Sequence, residues 1–334
     1  MKGSTVFLTG AEGLLGNHVT RELISRNNHV KVLIESGKSN NTLVGLENMT
    51  FCYGNILDAK YIERETRDCN YIIHAAASIS VYPSKNPLVQ EINFTGTKNI
   101  ISAAIKNKTK KVIHVGSANS FGFGTLMYPG NETTPFNCGK FNLDYIDSKY
   151  LAHQEVLNAI KTYSLPAIVV CPTFMLGKYD SKPGSGALVA SIYNKSLPGY
   201  SKGGKNYIYV NDVAVAIVNA LELGRIGESY ILGHQNLTYK DAFELIARTI
   251  GVKAPSLGIP KWIITLYGGA NQFICELLNK TPRVTYSIAR ISNETFYYDS
   301  SKAVNELKLP QTPIDVAVKE CFEWLKENNL LNHK

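Results

Sequence analysis

Short apolar runs alternate with longer amphipathic stretches through the first half of the chain. The apolar runs have the length of buried strands, and the stretches between them have the length and periodicity of helices. The predicted strands are 5–9, 30–34, 50–53, 71–74, 111–115 and 167–170, and the predicted helices are 14–26, 87–107 and 146–163. This alternation predicts βαβ units and a parallel sheet with helices on both faces. Ligands of such sheets bind beyond the carboxyl ends of the strands.

The alternation stops after residue 173. Two loops, a strand, a helix and a further strand are predicted next, in that order, at 178–186, 198–205, 207–210, 212–223 and 229–232. The first loop is rich in glycine, serine, lysine and proline and is expected to be mobile. The last strand is expected to rejoin the main sheet. From about residue 234 onward the pattern is mostly helical.

These elements predict an α/β fold with two parts. A Rossmann-type doubly wound parallel sheet, the dinucleotide-binding domain, is expected over 1–173, and 206–233 is expected to return to it. The rest of 174–334 is expected to form a smaller, mostly helical substrate-binding lobe. In that lobe the segment 259–279 is apolar and carries little charge. We expect a helix packed into the lobe; a helix on a membrane surface or one lining an apolar substrate pocket are the alternatives.

Composition narrows the class of protein. Hydrophobic residues make up 44% and charged residues 19% of the 334 residues, which predicts a folded chain with a sizeable core. The formal net charge is +8, but the lysines form no basic stripe with interleaved aromatic residues, so no nucleic-acid partner is expected. No two of the six cysteines have CxxC spacing, so no metal site is predicted. Without a signal-like N-terminus or an apolar run of about 20 residues, we expect a cytoplasmic protein with no transmembrane segment.

A glycine-rich motif, TGAEGLLG, lies between the first predicted strand and the first predicted helix. Glycine permits the tight turn there, and its missing Cβ lets backbone N–H groups approach a pyrophosphate. The helix N-terminus adds partial positive charge. The cofactor-binding residues expected from this motif are Gly10, Gly13, Leu14, Leu15 and Gly16.

The ends of the next three strands supply further candidates for binding a dinucleotide. Glu35 ends the second strand, where such folds face the adenosine ribose. Its carboxylate can accept hydrogen bonds from both ribose hydroxyls and would repel a 2′-phosphate. This predicts a preference for NAD, with NADP as the alternative because Lys38 is close. Residues suited to the adenine or to close passage of the backbone follow the third and fourth strands: Asn55, Ile56, His74, Ala75 and Ala76. His74 is interpreted as a hydrogen-bonding residue rather than a proton carrier.

The motif YIDSK at the start of a predicted helix carries the candidate chemistry. Tyr145 and Lys149 are four residues apart and therefore share one helix face. The ammonium, together with an oxidised nicotinamide, would lower the pKa of the phenol from about 10 and let it exchange a proton with a carbonyl or alcohol oxygen. Ser117 follows the fifth strand, and its hydroxyl would orient the same oxygen, with Ser120 as the competitor. The chain has no G-x-S-x-G elbow with triad partners in the expected order, which disfavours a nucleophilic serine enzyme.

The motifs TGAEGLLG, HAAA, INFTGT, GSANSFG and YIDSK occur in an order and at spacings that resemble the extended short-chain dehydrogenase/reductase superfamily. Later segments resemble its NAD-dependent epimerase/dehydratase and dihydroflavonol-reductase-like branch, so the resemblance covers essentially the whole chain. It implies a catalytic triad of Ser117, Tyr145 and Lys149, with Lys149 also holding the nicotinamide ribose. One residue that supports the triad and two that border the nicotinamide are also implied: Asn93, Pro172 and Thr173.

Two positions depart from the pattern of the family. Asn55 stands where the family usually has an aspartate on the adenine amino group, which would weaken that contact. Glu35 stands where this branch often has an arginine, which puts the usual NADP preference in doubt.

Two enzymatic functions remain open from the sequence. The favoured one is NAD(P)-dependent hydride transfer to or from a ketone or secondary alcohol of a hydrophobic or aromatic small molecule. The alternative is an NAD-dependent nucleotide-sugar epimerase/dehydratase, in which Arg283 or Arg290 would hold the diphosphate. A non-enzymatic cofactor-binding scaffold is disfavoured by the intact triad. We also expect a homodimer through a four-helix interface of 87–107 and 146–163, since apolar residues recur there near helical spacing.

Overall fold

The computed structural model describes residues 2–38 and 40–331. The strands are β1 (Thr5–Thr9), β2 (His29–Ile34), β3 (Met49–Tyr53), β4 (Tyr71–His74), β5 (Lys111–Val115), β6 (Ala167–Pro172), β7 (Phe174–Leu176), β8 (Gly204–Tyr209), β9 (Ser229–Leu232), β10 (Gln235–Thr238) and β11 (Thr295–Phe296). The helices are α1 (Leu14–Ser25), α2 (Ala59–Glu65), α3 (Pro87–Gln90), α4 (Gly96–Lys106), α5 (Asp144–Tyr163), α6 (Gly186–Tyr193), α7 (Val210–Leu223), α8 (Tyr239–Thr249), α9 (Lys261–Leu277), α10 (Tyr286–Ile291), α11 (Ser301–Leu307) and α12 (Ile314–Glu327).

Seven strands form a parallel sheet in the order β3-β2-β1-β4-β5-β6-β9. The chain runs outward from β1 to β3 and then crosses back to β4, so the strand order reverses between β1 and β4. This reversal is where doubly wound sheets bind their ligands, outside the carboxyl ends of the strands. The predicted Rossmann-type fold is confirmed, as is the return of strand 229–232 to the main sheet, where β9 pairs with β6.

Alternate residues of the sheet enter two different cores. Val6 and Leu8 of β1 belong to a cluster with α1 and α7, whereas Phe7 between them belongs to a cluster with α2, α4 and α5. Both faces of β1 are therefore covered, which explains why it reads as a continuous apolar run. The helices predicted at 87–107 and 146–163 are present, but a π-helical turn, Glu91–Thr95, separates α3 from α4.

A second, smaller sheet lies apart from the first. Its central strand β8 pairs with β10 in antiparallel orientation and with β7 and β11 in parallel orientation. Within 206–233, helix α7 packs on α1 and β9 joins the first sheet, whereas β8 belongs to this second sheet. The loop predicted over 198–205 ends earlier than expected, because Gly204 is a strand residue. A Cβ there would lie 2.3 Å from the Tyr297 hydroxyl oxygen, so the glycine serves close packing rather than a turn.

The residues that motivated the homodimer are mostly used within the chain's own core. Ile100, Ile101 and Val156 are buried against the sheet. Ile105 and Leu151 are the exposed members of that set. The apolar spacing on α4 and α5 therefore largely reflects packing on the sheet, and Ile105 and Leu151, with the half-buried Leu157, remain for an interface.

The segment 259–279 forms α9 and packs on α10. The two helices approach each other closely at Gly268, where a Cβ would lie 2.5 Å from the Ala289 Cβ. Gly268 is the only buried residue of α9. The expectation of a helix packed into the lobe is thus wrong for most of its apolar side chains, which are exposed. Across the described residues, no helix combines the length and apolar character that crossing a bilayer requires.

Candidate active site

The turn between β1 and α1 requires glycine at two positions for internal reasons. Gly10 has φ +76°, and a Cβ on it would lie 2.7 Å from the backbone nitrogen of Ala76. A Cβ on Gly16 would lie 2.0 Å from the Gly10 carbonyl oxygen. Gly13 is different, since its φ is −80° and a Cβ would meet nothing closer than 3.5 Å. The chain itself therefore tolerates a side chain at Gly13, and the space there is open for a ligand.

The residues of this turn fit a pyrophosphate. Gly13 is the N-cap of α1, and no acidic residue occupies the first turn of the helix. The first N–H groups of a helix, here those of Leu14 and Leu15, lack intrahelical acceptors and carry partial positive charge. An anionic group at this end of the sheet would be stabilised by both effects.

The end of β4 is fixed against β1 by a buried chain of hydrogen bonds. The Thr97 hydroxyl donates to the Asn93 carbonyl oxygen, so it accepts from Nε2–H of His74, at 3.1 Å. Nδ1 of His74 then accepts from the Thr9 hydroxyl at 2.8 Å, and the Thr9 oxygen accepts from the Ala76 N–H. Burial lowers the pKa of His74 to about 3, so its imidazole is neutral. The geometry agrees with a hydrogen-bonding role for His74.

Glu35 lies exposed at the end of β2 and forms an ion pair with Lys38. Lys38 also lies 3.7 Å from a carboxylate oxygen of Glu12, a residue of the glycine-rich turn. Burial works against the charge of Lys38, but the hydrogen bond to Glu35 and the charge of Glu12 outweigh it and raise the pKa of the ammonium. The lysine considered as a ligand for a 2′-phosphate is therefore held between two carboxylates.

Asn55 and Ile56 lie on the loop after β3. The Asn55 side-chain oxygen accepts from the Leu57 N–H at 2.9 Å, so it stabilises its own turn. Ile56 is buried, and its carbonyl oxygen accepts from the Asn99 side chain. Ile56 is therefore buried beneath this loop, whereas the exposed side chain of Asn55 hydrogen-bonds the backbone of its own turn.

The triad residues come together at the carboxyl end of β5. The Ser117 hydroxyl lies beside the Tyr145 phenol, whose pKa it acts to lower, and it accepts from the Asn119 N–H at 3.2 Å. Lys149 lies one turn further along α5, and its ammonium donates to the Val115 carbonyl oxygen at 2.6 Å.

Burial dominates the electrostatics of Tyr145 and Lys149 in the chain by itself. Burial raises the pKa of the phenol, and the hydrogen bond with Ser117 opposes this only in part. Burial also lowers the pKa of Lys149 to about 8. In the chain by itself Lys149 is engaged with a backbone carbonyl and the direct neighbour of the phenol is a serine hydroxyl. The expected lowering of the phenol's pKa by Lys149 together with an oxidised nicotinamide stays a prediction.

The structure separates the two candidate serines. Ser120 is buried, and its hydroxyl has no hydrogen-bond partner among the described residues. It lies in the 3₁₀ turn Ala118–Ser120 that Ser117 caps. Only Ser117 contacts the phenol, so the geometry favours it over Ser120.

Asn93 holds α5 from the neighbouring π-helical turn. Its side-chain oxygen accepts from the Ser78 N–H at 2.7 Å, and its nitrogen donates to the Ser78 carbonyl oxygen and to the Ser148 hydroxyl. Ser148 stands between the tyrosine and the lysine of YIDSK. Asn93 therefore fixes the loop after β4 and the catalytic helix relative to each other, and π turns are frequent at such sites.

Pro172 and Thr173 follow at the end of β6. Pro172 is buried and pairs with Leu232 of β9. The Thr173 hydroxyl donates to the side-chain oxygen of Asn206 on β8, at 2.8 Å. Thr173 thereby connects the edge of the first sheet to the second sheet, which places the border between the two sheets beside the candidate site.

Two features were missed from the sequence. His114 and His153 are buried and, with His74, place neutral imidazoles near Lys149; the charge of Lys149 adds to burial in lowering the pKa of each of them. Lys205 on β8 has its ammonium 4.4 Å from the centre of the Phe174 ring, and burial lowers its pKa to about 8. No acidic partner of Lys205 occurs within the described part of the chain. A lysine inside an otherwise apolar strand was the available signal.

The seven-stranded parallel sheet, the family model and the named relatives are those of an enzyme of the extended short-chain dehydrogenase/reductase type. The chain belongs to the NAD dependent epimerase/dehydratase family, whose model matches residues 6–233.

Relatives with curated names are similar over nearly their full length. A protein of Synechocystis sp. provisionally named dihydroflavonol 4-reductase is 27% identical, over 96% of this chain and 94% of that protein. Cinnamoyl-CoA reductase CAD2 of Medicago truncatula is 24% identical, over 99% and 98%. Among solved structures, gox2253 aligns with a TM-score of 0.86 at 28% identity, over 98% of this chain and 99% of that one. The UDP-glucose 4-epimerase of Thermotoga maritima aligns with a TM-score of 0.77 at 20% identity, over 97% and 99%, and shows the fold alone.

Proposed function

We propose that the protein is an NAD-dependent reductase that interconverts a ketone and a secondary alcohol on a hydrophobic or aromatic small molecule. The observation that carries this proposal is the placement of Ser117 beside the Tyr145 phenol at the end of β5, with Lys149 one turn away on α5 and bonded to the Val115 carbonyl oxygen. A serine hydroxyl and a phenol that meet at the carboxyl edge of the sheet can both bind one carbonyl oxygen.

Each residue of the triad has a distinct role in this reaction. The nicotinamide cofactor, when bound, would supply the hydride as NADH in the reductive direction and accept it as NAD⁺ in the other. Tyr145 gives a proton to the carbonyl oxygen in the reductive direction and removes it in the other, and Ser117 donates a hydrogen bond that orients that oxygen. Lys149 contributes positive charge that favours the phenolate. Asn93 is a positioning residue that keeps α5, the helix of Tyr145 and Lys149, in place.

The substrate class is supported by relatives and by the lobe that would bind it. Two relatives carry the names of reductases, dihydroflavonol 4-reductase and cinnamoyl-CoA reductase. The lobe proposed to hold the substrate, 174–334, supplies apolar side chains next to Thr173, such as Phe174 and Tyr207, whose rings meet edge to face at 5.3 Å. An aromatic ring in the substrate would find similar partners there.

A nucleotide-sugar epimerase is the second candidate, and Lys205 is the observation that favours it. Its ammonium lies against Phe174, the residue after Thr173, and pairs with no acidic group among the described residues. Buried cations are normally paired, so this one is suited to an anionic group of a substrate. Arg290, expected to serve this purpose, instead lies over the rings of Phe141 and Tyr286.

One experiment separates the two functions. The purified protein is incubated either with aromatic ketones and NADH or with UDP-sugars and NAD⁺, and both the cofactor's absorbance and the products are followed. A reductase consumes one cofactor for each ketone reduced. An epimerase interconverts the sugars with no net consumption, and Lys205→Met would raise KM for such an anionic substrate while Lys202→Met, at an exposed neighbouring position, would not. Sugar interconversion without ketone reduction would refute the reductase proposal.

The homodimer stays a proposal. The four-helix pairing would bury Ile105 and Leu151, the exposed apolar residues of α4 and α5 named above. Light scattering across a range of protein concentrations should give twice the 36.9 kDa chain mass. Leu151→Glu should lower that mass toward the monomer, and a wild-type mass of one chain at every concentration would refute the dimer.

A further inference from the structure

Helix α9 presents two adjacent rows of large apolar side chains to the outside of the molecule. Each row follows the spacing i, i+4, i+11, i+15, which places its members on one helix face. The first row is Trp262, Leu266, Phe273 and Leu277, and the second is Ile263, Tyr267, Ile274 and Leu278. All eight side chains are between 39% and 67% exposed. Eight large, exposed apolar side chains on adjacent rows of one helix are unusual on a monomeric protein and mark a binding surface.

The surroundings of this face are basic. Between residues 248 and 290 the chain has six basic residues and a single acidic one, Glu276. The basic residues are Arg248, Lys253, Lys261, Lys280, Arg283 and Arg290. Lys253, Lys261, Lys280 and Arg283 are exposed and form no ion pair within residues 2–38 and 40–331. The positive charge is therefore available to an external anionic partner.

An open groove of about 810 Å³ runs along the same helix, between α9 and α10. Its apolar lining includes Trp262, Leu266, Phe273 and Tyr286, and Lys261 is the only charged residue that lines it. An apolar groove with a basic group at its edge matches an acyl chain below an anionic headgroup.

From these observations we propose that α9 docks in the plane of an anionic lipid surface, with its two apolar rows among the acyl chains and its flanking lysines and arginine at the headgroups. A helix of 17 residues is about 25 Å long, too short and too polar on its packed side to span a bilayer but suited to lie in the interface. A second copy of the chain is the less suitable occupant. Two α9 faces related by a twofold axis would bring their basic flanks together and repel each other.

Vesicle binding tests the proposal independently of the enzymatic function. The full chain is sedimented with vesicles of phosphatidylcholine alone or of phosphatidylcholine with phosphatidylserine. We expect binding to the mixed vesicles and at least tenfold weaker binding to the neutral ones. Leu266→Glu with Leu277→Glu should abolish binding, whereas Leu223→Glu, which changes an exposed leucine at the end of α7, should not. Circular dichroism and melting temperature verify that the variants fold.

The charge requirement and the insertion are measured separately. Lys280→Glu with Arg283→Glu should weaken binding to the mixed vesicles by tenfold or more, since each basic residue near an anionic surface contributes about fivefold in affinity. In a Trp324→Phe background Trp262 is the only tryptophan, and its emission should shift to shorter wavelength on vesicle binding. Absence of vesicle binding, equal binding to both lipid mixtures, or a concentration-dependent dimer that the α9 double variant abolishes would each overturn the proposal.

Discussion

The carboxyl edge of the seven-stranded sheet and helix α9 differ in what their side chains contact. At the sheet edge, Thr9, His74 and Asn93 each have named partners, and a Cβ on Gly10 or Gly16 would collide with backbone. On α9 two apolar rows have no cover among the described residues, and Gly268 is the one buried residue of the helix. The first region is determined by the chain's own packing, whereas the second is shaped for something outside the chain.

This difference locates the chemistry. A site that must hold a hydride donor and a carbonyl within reach of each other needs side chains that other side chains hold in place. The edge of the sheet meets that requirement through hydrogen bonds between successive strand ends, and α9 does not. Substitutions at the carboxyl edge of the sheet should therefore affect turnover or stability strongly.

Tyr145→Phe should have the largest effect. The substitution removes the proposed proton donor and keeps the ring, so turnover should fall by roughly 10² or more while cofactor binding and folding persist. Steady-state kinetics and cofactor titration measure the two quantities. Tyr163→Phe is the matched control, since this tyrosine is exposed at the far end of the same helix and should retain full turnover. Retained turnover in Tyr145→Phe would remove Tyr145 from the mechanism.

The buried imidazoles should make the nucleotide-binding half sensitive to acid. Burial lowers the pKa of His74 to about 3 and of His153 to about 4, and lowers that of His114 well below its usual value. Below about pH 6.5 the unfolded chain takes up a proton at each of these three histidines that the folded chain does not, and the buried His18, whose pKa burial also lowers, adds to the effect. The free energy of unfolding should therefore fall by about 4 kcal/mol between about pH 7.5 and 5.5, and keep falling until the pH nears the folded values.

Urea denaturation at the two pH values measures this loss. Removing one of these groups, as in His153→Gln, should reduce the loss between the two pH values by about 1.4 kcal/mol. His29→Gln serves as the control because His29 is only half-buried, at the start of β2. An unchanged pH dependence in His153→Gln would show that His153 is accessible to protons in the folded chain.

Much of the sheet edge could be predicted because few sequences satisfy its constraints. Strands 5–9, 71–74 and 111–115 have the bounds that their apolar runs indicated, since buried parallel strands tolerate little else. The pairing of Ser117 with Tyr145 follows from one residue at a strand end and one at a helix start. The engagement of Lys149 with Val115, and the imidazoles around it, depends on side-chain directions between distant segments that periodicity does not report.

The second lobe was harder to predict for a related reason. The periodicity of 259–279 indicates a helix with an apolar face but not what covers that face, since an amphipathic helix has the same pattern whether it meets its own core or another surface. Lys205 was missed in the same way. Its burial follows from the pairing of β8 with β10 and β11, which join segments from three separate parts of the chain.

The two glycines of the turn should respond differently to alanine. Gly16→Ala would place a Cβ 2.0 Å from the Gly10 carbonyl oxygen, so it should destabilise the fold by about 1–3 kcal/mol or more. Gly13→Ala meets nothing closer than 3.5 Å and should change stability by less than about 1 kcal/mol. NAD affinity should nevertheless fall tenfold or more in Gly13→Ala, because the added methyl group enters the space proposed for the pyrophosphate. Unchanged NAD affinity in Gly13→Ala would place the pyrophosphate elsewhere.

The preference for NAD over NADP should be the smallest of these effects. Glu35 offers its carboxylate to a ribose diol but repels a 2′-phosphate, and Lys38, the residue able to offset that repulsion, is paired with both Glu35 and Glu12. A hydrogen bond to a carboxylate contributes about 1.5–3 kcal/mol, and a tenfold preference needs only about 1.4 kcal/mol. Titration of both cofactors should therefore show at least tenfold tighter binding of NAD.

Glu35→Ala should reduce the preference. It should also remove one of the two ion pairs of Lys38, so NADP affinity should rise. Lys38→Ala should leave the preference intact. Tighter binding of NADP by the wild type, lost in Lys38→Ala, would show that the lysine leaves its carboxylates for the phosphate and that Glu35 does not select the cofactor.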